Sequence, residues 1–592
     1  VGESASVYQQ AFRTYGDPRY AAFLAGFGAD GDKGFKDFTS LLYPAVEAAQ
    51  APANGRRVAP QSSRLLSGFG LALLNNAADD AGVSLYFGQH VNHAHFDRLH
   101  FDLFAHGQPL TPDMGYPDAM NVFVPGVWTW SVNTISHNTV TVDASAQPGN
   151  VPGVVELFAD GNWARAIEVS AAGTYPQCSD YRRGLVFVDS ASGHYLVDFF
   201  HVAGGHQHDY SLHGPPGKAT LVGEDWSEPA KGTLAGENVA LGQIYDDAKL
   251  ATDGEKKGYY EYRGSGFQHL NAVQRRLSGD AVVDYVDEKD PTAALRIRVL
   301  AATGQSLMAA DARVSPVNHP QLVKYLISRS VAAAGTSLDS QFVSVLEPHV
   351  TGADVMKRAL RLECTAGGTA LLVEQANGDR DVVVHDPAGA SKTVTVGTGK
   401  IITDAKVAVV RFAKDGQLDR VFYSGGRSLV AGTRAFFTTP TITGAVSSID
   451  PAHASVRVRT PGSADGLAGR VVSFGNGLAR TAYEIKSARR DGEDLVLELR
   501  DDLLEGVLRV SAVKDRRIDT RTRLPFAASY VGAAVLDADF HVIGRVRAAD
   551  QDHLELADAP VAGAGLVGHD LWVASVAPGD TLNVPSVFTW TK

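Results

Sequence analysis

The chain has 592 residues, 44% of them hydrophobic, enough for two to four domains with substantial cores at about 150 residues each, which excludes a disordered protein. Its 54 Lys and Arg stand against 66 Asp and Glu, a net charge of −12, and no run of five or six basic residues occurs, so nucleic acid is excluded as the leading partner. Net charge governs long-range encounter only, and a locally basic cleft for an acidic sugar polymer stays open.

No apolar run approaches the ~18 residues of a membrane helix, and the first residues, Val1 to Tyr8, lack the charged start and apolar core of a signal peptide. A soluble chain with no membrane partner is expected. Cys178 and Cys364 are too few for a metal or disulfide framework; they read as unpaired small apolar residues, with one long-range bridge as the alternative.

In chain order, Val7, Ala11, Phe12 and Tyr15 recur at helical spacing, and Asp17-Pro18 supplies an N-cap and first-turn proline for a second helix carrying Tyr20, Phe23 and Leu24. An amphipathic face needs partners, so residues 1–62 are expected to be the last helices of a helical domain that begins upstream. From about Leu65 the texture changes to short runs of Val, Ile, Phe, Tyr and Leu separated by turn residues, as in 164–169, 184–189 and 195–200. This predicts a large antiparallel β-sandwich over 63–435. A further shift near 430–445 predicts C-terminal β-sandwich-like modules over 436–592, one from 440 to about 525 and one from there to the end. No fixed-period repeat is present.

Nineteen histidines are unevenly spread, eleven of them between His90 and His213. Clustered imidazoles suit metal ligation or proton transfer, whereas any single one is more often a satisfied structural residue. If the segment around His93-Ala94-His95-Phe96-Asp97 is a strand, the period of two puts His93, His95 and Asp97 on one face. Two imidazoles and a carboxylate would suit Zn²⁺ with a fourth position left over, but spacing alone does not choose the ligands. A second stretch, 204–214, puts His206 and His208 on one strand face and could line a cleft.

The order His93-Ala94-His95-Phe96-Asp97, then Asp113-Met114-Gly115-Tyr116, then His137-Asn138-Thr139-Val140 with Val142, Asp143 and Gln147, resembles the signature of the heparinase II/III-like polysaccharide lyases. The resemblance covers roughly residues 60–215 and does not reach the last 150. It implies the end of an (α/α) toroid followed by an antiparallel β-sandwich, with the upstream toroid supplied by the same protein or by a second chain. It implies His93 as a catalytic histidine, Tyr116 as a tyrosine near the reacting sugar, and His95, Asp113 and His137 as ligands of one structural divalent ion, Zn²⁺. It also implies a bacterial periplasmic or secreted protein. The family's principal catalytic tyrosine, and the Asn or His that neutralises the uronate carboxylate, have no recognisable counterpart among the first 92 residues.

The expected reaction is β-elimination on a uronate-containing polysaccharide, alginate or a glycosaminoglycan, with endo or exo action left open. A neutral imidazole and a phenol suit the two proton transfers. Arg98, Arg182 and Arg183 are candidates for substrate carboxylates or sulfates, and Trp128 and Trp130 for stacking on sugar. The alternatives are a zinc hydrolase with a metal-activated water, and a non-catalytic carbohydrate-binding protein using Trp128, Trp130 and Tyr116.

Overall fold

A computed structural model describes residues 14–16 and 62–592, apart from positions 79, 90–93, 115–121, 316–318, 440, 525–526 and 561–562. The helices expected over 1–62 lie, but for 14–16, outside the described residues. What is described is mostly antiparallel strand.

The strands Arg64–Leu66, Leu71–Asn75, Ala81–Tyr86, Phe101–Ala105 and Gln108–Pro109 form a five-stranded meander. An eight-stranded sheet runs from Gly217–Leu221 through Ala281–Asp287, Ala293–Val299, Asp339–Val350, Gly193–Gly204, Cys178–Ser190 and Ala164–Ser170 to Val154–Asp160. A second five-stranded sheet is ordered Asn271–Arg275, Gln305–Ser315, His319–Val331, Gln207–His213, Val140–Val142.

The eight-stranded sheet is covered on both faces. Leu185, Phe187, Leu196 and Phe200 enter the core shared with the two five-stranded sheets, whereas Val186, Val188, Val197 and Phe199 pack on Leu371, Val383, Val409 and Phe422 of the next domain. Side chains alternate along a strand, so burial on both faces produces the continuous apolar runs at 184–189 and 195–200. The second five-stranded sheet is likewise two-faced: Leu307 and Ala309 join that shared core, while Met308, Ala310, Tyr325 and Ile327 pack under Trp130, Ile135 and Phe267.

A second sheet pair follows, six strands from Met356–Leu362 to Leu418–Ser424 plus Val587–Thr591, and four strands within 392–437. The region expected as successive sandwich-like modules is instead two closed six-stranded barrels, one inserted into the other. The outer barrel opens with Ile442–Asp450 and closes with Thr581–Val584, and the inner one spans Leu504–Lys514 to Asp570–Ala574. Closure removes the exposed edges that an open sandwich would keep. The chain then returns, and Val587–Thr591 pairs with Leu418–Ser424. Cys178 and Cys364 are free thiols.

Candidate functional site

Three connections bring candidate side chains together. Residues 94–97 belong to no strand, so the common face expected for His93, His95 and Asp97 does not arise from a strand period. Instead Phe96 N–H is held by Val132 O at 2.8 Å, and the chain turns so that His100 N–H meets Asp97 O at 2.8 Å. Asp113 follows Gln108–Pro109. His137 ends the 3₁₀ turn Thr134–Ser136, whose first residue follows the capping Asn133, and Val140–Val142 then enters the sheet beside Gln207–His213.

His95 Nδ1 lies 2.9 Å from His137 Nε2 and 3.0 Å from Asp113 Oδ2, and His137 Nε2 lies 3.5 Å from Asp113 Oδ1. Ligand atoms of a tetrahedral zinc site, with bonds of ~2.0–2.1 Å, stand about 3.3 Å apart. Asp97 brings a carboxylate oxygen into the same group. Its Oδ1 is buried with no hydrogen-bond partner, which a cation would satisfy. The group His95, Asp97, Asp113 and His137 can therefore hold a metal ion, and the donor set is that of Zn²⁺ rather than Mg²⁺ or Ca²⁺.

Electrostatics agree with this arrangement. Burial pushes the Asp97 carboxyl up, against the opposing influence of His137 and His95. Burial also raises Asp113, but the charges and hydrogen bonds of His137 and His95 outweigh it and hold that carboxyl well below the usual range. Burial lowers His95, yet Asp113 leaves it net above its ordinary value.

Surrounding groups orient the donors. His137 Nδ1 donates to Asn133 O at 2.7 Å, which leaves Nε2 with its lone pair facing the group. Asp102 Oδ1 accepts the Asp113 N–H at 2.8 Å and the His100 Nε2 at 3.1 Å. His100 and Asp102 were not singled out from sequence, although they repeat the spacing of His95-Phe96-Asp97. Asn138 spends all its polar atoms on the scaffold: its N–H goes to His100 Nδ1, its side-chain amide to Phe101 O and Thr111 O, and its Oδ1 accepts from His213 N–H. Gln147 accepts the Arg98 N–H and donates to the Arg98 carbonyl, and Thr139 donates to that same carbonyl. The string after His137 is thus a set of braces on the 95–100 turn.

Among the candidate substrate contacts, Arg98 is corrected. It is 0% exposed, and its guanidinium donates to Gly88 O, Gly149 O and Thr174 Oγ1, so no substrate anion reaches it. Arg183 is also fully buried, in a two-pronged ion pair with Asp198, and its Nη1 donates to Leu99 O and Asn138 O. It thereby staples the His95 turn to the His137 turn. Leu99 holds a left-handed φ of 64°, a strain of about 1–3 kcal/mol for a residue with a Cβ, and the clamp on its carbonyl helps hold it. Arg182 pairs with Asp180 and Glu168.

Trp130 is corrected as well: it is fully buried, donates from Nε1 to Arg313 O, and packs on Tyr325, so it cannot stack on sugar. Trp128, on the same π-helical turn Val127–Ser131, is partly exposed. His208 is a core residue held by Ser340 Oγ and Gly204 O, while His206 is exposed, so the pair does not share a site. His93 and Tyr116 lie outside the described residues.

The family model described as heparinase II/III-like, C-terminal, matches residues 70–301. No curated protein matches the chain. Among solved structures, a heparinase III gene product is 15% identical with a TM-score of 0.40, over 64% of this chain and 48% of its own. The heparan sulfate lyase HepC from Pedobacter heparinus is 15% identical with a TM-score of 0.38, over 69% of this chain and 48% of its own. The chain thus spans about half the length of the structures it matches.

Proposed function

Residues 70–301 belong to the heparinase II/III-like superfamily, and from that premise we propose that the protein is a polysaccharide lyase that cleaves a uronate-containing polymer, alginate or a glycosaminoglycan, by β-elimination. The observation that carries the reading is the buried group of His95, Asp97, Asp113 and His137, placed two residues after His93.

In this reading His93 is one proton carrier and a tyrosine of the upstream toroid the other, with Tyr116 near the reacting sugar. One takes the proton from C5 of the uronate, the electron pair forms the C4–C5 double bond, the C4–O4 bond breaks, and the departing O4 takes a proton from the other. His95, Asp97, Asp113 and His137 would hold a Zn²⁺ ion. When bound, it supplies a fixed positive charge that ties three connections together. The partnerless Asp97 oxygen favours a four-donor set with no open position, which suits an architectural ion better than one that activates water. Arg183 and Asn138 then hold the 95–100 turn against the turn that ends at His137. An acidic polymer of this kind lies outside the cytoplasm, so a periplasmic or secreted location goes with the proposal.

The test is a panel of alginate, heparan sulfate, chondroitin sulfate and hyaluronan, followed by near-ultraviolet absorbance and product mass. Elimination creates a double bond conjugated with the C6 carboxylate, so absorbance rises and product masses lack added water. His93→Ala should slow the reaction about 10²–10⁴-fold. Saturated products carrying water would reject the lyase reading, and undiminished rates in His93→Ala would reject its role.

A further inference from the structure

The long connection between Gly217–Leu221 and Asn271–Arg275 carries Arg263 to the edge of this site. Its backbone carbonyl accepts from Ala146 N–H and Ser145 Oγ, each at 3.0 Å. Its Nη1 donates to Tyr260 O at 3.0 Å and Tyr262 O at 2.8 Å. The guanidinium lies 4.4 Å over the ring of Phe96, the residue between His95 and Asp97. The side chain is nevertheless exposed.

Only one of its three nitrogens is spent. Among the described residues no carboxylate lies within ion-pair distance of Arg263, although the charge of Glu261 acts on it, and Nε and Nη2 donate to no described residue. That free edge is the one Arg183 uses to grip Asp198 with two parallel bonds. It matches the spacing of two oxygens on a carboxylate or a sulfate. An arginine left to solvent keeps its rotamer freedom; this one is already ordered by two carbonyls and a ring, so less entropy is lost when an anion binds. The same loop is pinned by Tyr259 N–H on Val122 O at 2.7 Å, and presents Tyr260, 48% exposed.

We infer that Arg263 is a substrate-binding residue that grips an anionic group of the polysaccharide, a carboxylate or a sulfate, through Nε and Nη2. The inference rests on the lyase reading above and adds to it the residue that recognises the acidic polymer.

The experiment compares wild type, Arg263→Gln and Arg263→Lys, with melting temperatures, for binding and cleavage of alginate and heparan sulfate oligosaccharides. Carboxyl-reduced and desulfated derivatives form the control arms. Arg263→Gln should weaken binding of whichever polymer the wild type takes by about 10- to 100-fold, through KM with kcat little changed. Arg263→Lys keeps the charge without the fork and should recover part of the loss. The loss should vanish on the carboxyl-reduced polymer if the group is a carboxylate, or on the desulfated one if it is a sulfate. If the wild type cleaves the polymer and Arg263→Gln matches it in KM, the inference fails and the lyase reading stands. If the wild type neither binds nor cleaves any acidic polymer, both fail. Should Arg263→Gln lose stability, Arg263→Lys with a wild-type melting temperature and wild-type KM on every polymer overturns the inference.

Discussion

Nδ1 of His95 and Nε2 of His137 stand 2.9 Å apart, while the other nitrogen of His137 is committed to Asn133 O. Nε2 of His137 therefore faces the space it shares with Asp113 and Asp97, and a dication matches two imidazoles and two carboxylates in both charge and donor type. Protein purified without added metal should carry about one equivalent of Zn²⁺ per chain, by elemental analysis. His137→Ala should lose it and melt at a markedly lower temperature, whereas His93→Ala should keep both metal and melting temperature. Less than a tenth of an equivalent of any divalent metal would defeat this.

Asp97→Asn separates a ligand from a merely buried acid. Removing a partnerless buried charge should raise the melting temperature of metal-free protein, while the lost ligand should lower that of metal-loaded protein and weaken zinc binding at least tenfold. A shift of the same sign in both states would show that Asp97 does not hold the ion.

Arg183 and Arg98 are expected to behave as scaffold. Arg183→Met leaves the buried Asp198 without its ion-pair partner, with Tyr210 the remaining hydrogen-bond donor among the described residues, a loss of about 3–5 kcal/mol. Arg98→Ala strips donors from Gly88 O, Gly149 O and Thr174 Oγ1. Calorimetry should show lower melting temperatures for both; a wild-type melting temperature with raised KM would mark either as a substrate contact instead.

His201 makes a pH-dependent brace on the eight-stranded sheet. Burial lowers its pKa, but hydrogen bonds to Asp180 and Asp339, each at 2.7 Å, raise it net above the ordinary value. A raised folded pKa stabilises fully below the unfolded value of about 6.5, and the contribution disappears as pH rises through the folded value. His201→Gln should therefore be less stable than wild type near pH 5.5, with the gap closing at alkaline pH. Asp339 is 78% exposed, so solvent screens the pair and the effect should be small. A gap that widens with pH would contradict the assignment.

Periodicity and motif order reached far in this chain. Short apolar runs and turn residues were enough for an antiparallel β protein; that the strands at 184–189 and 195–200 are covered on both faces only the packing shows. The order of His95, Asp113 and His137 pointed to donors that the fold brings within 3.5 Å of one another.

What sequence could not decide is what lies against a given face. Arg98 and Trp130 stood as candidate contacts for the sugar polymer, yet Gly149, Thr174 and Arg313, distant in the chain, supply the acceptors that let them be buried. Arg263 carries no motif at all; it joins the site only because Ala146 and Ser145 hold its backbone and Phe96 its side chain. The nested barrels escaped for the same reason, since Thr581–Val584 pairs with Ile442–Asp450 across an entire inserted barrel. A local period specifies which residues share a side of a strand, but partners that meet only after long loops close are set by the packing of the whole chain.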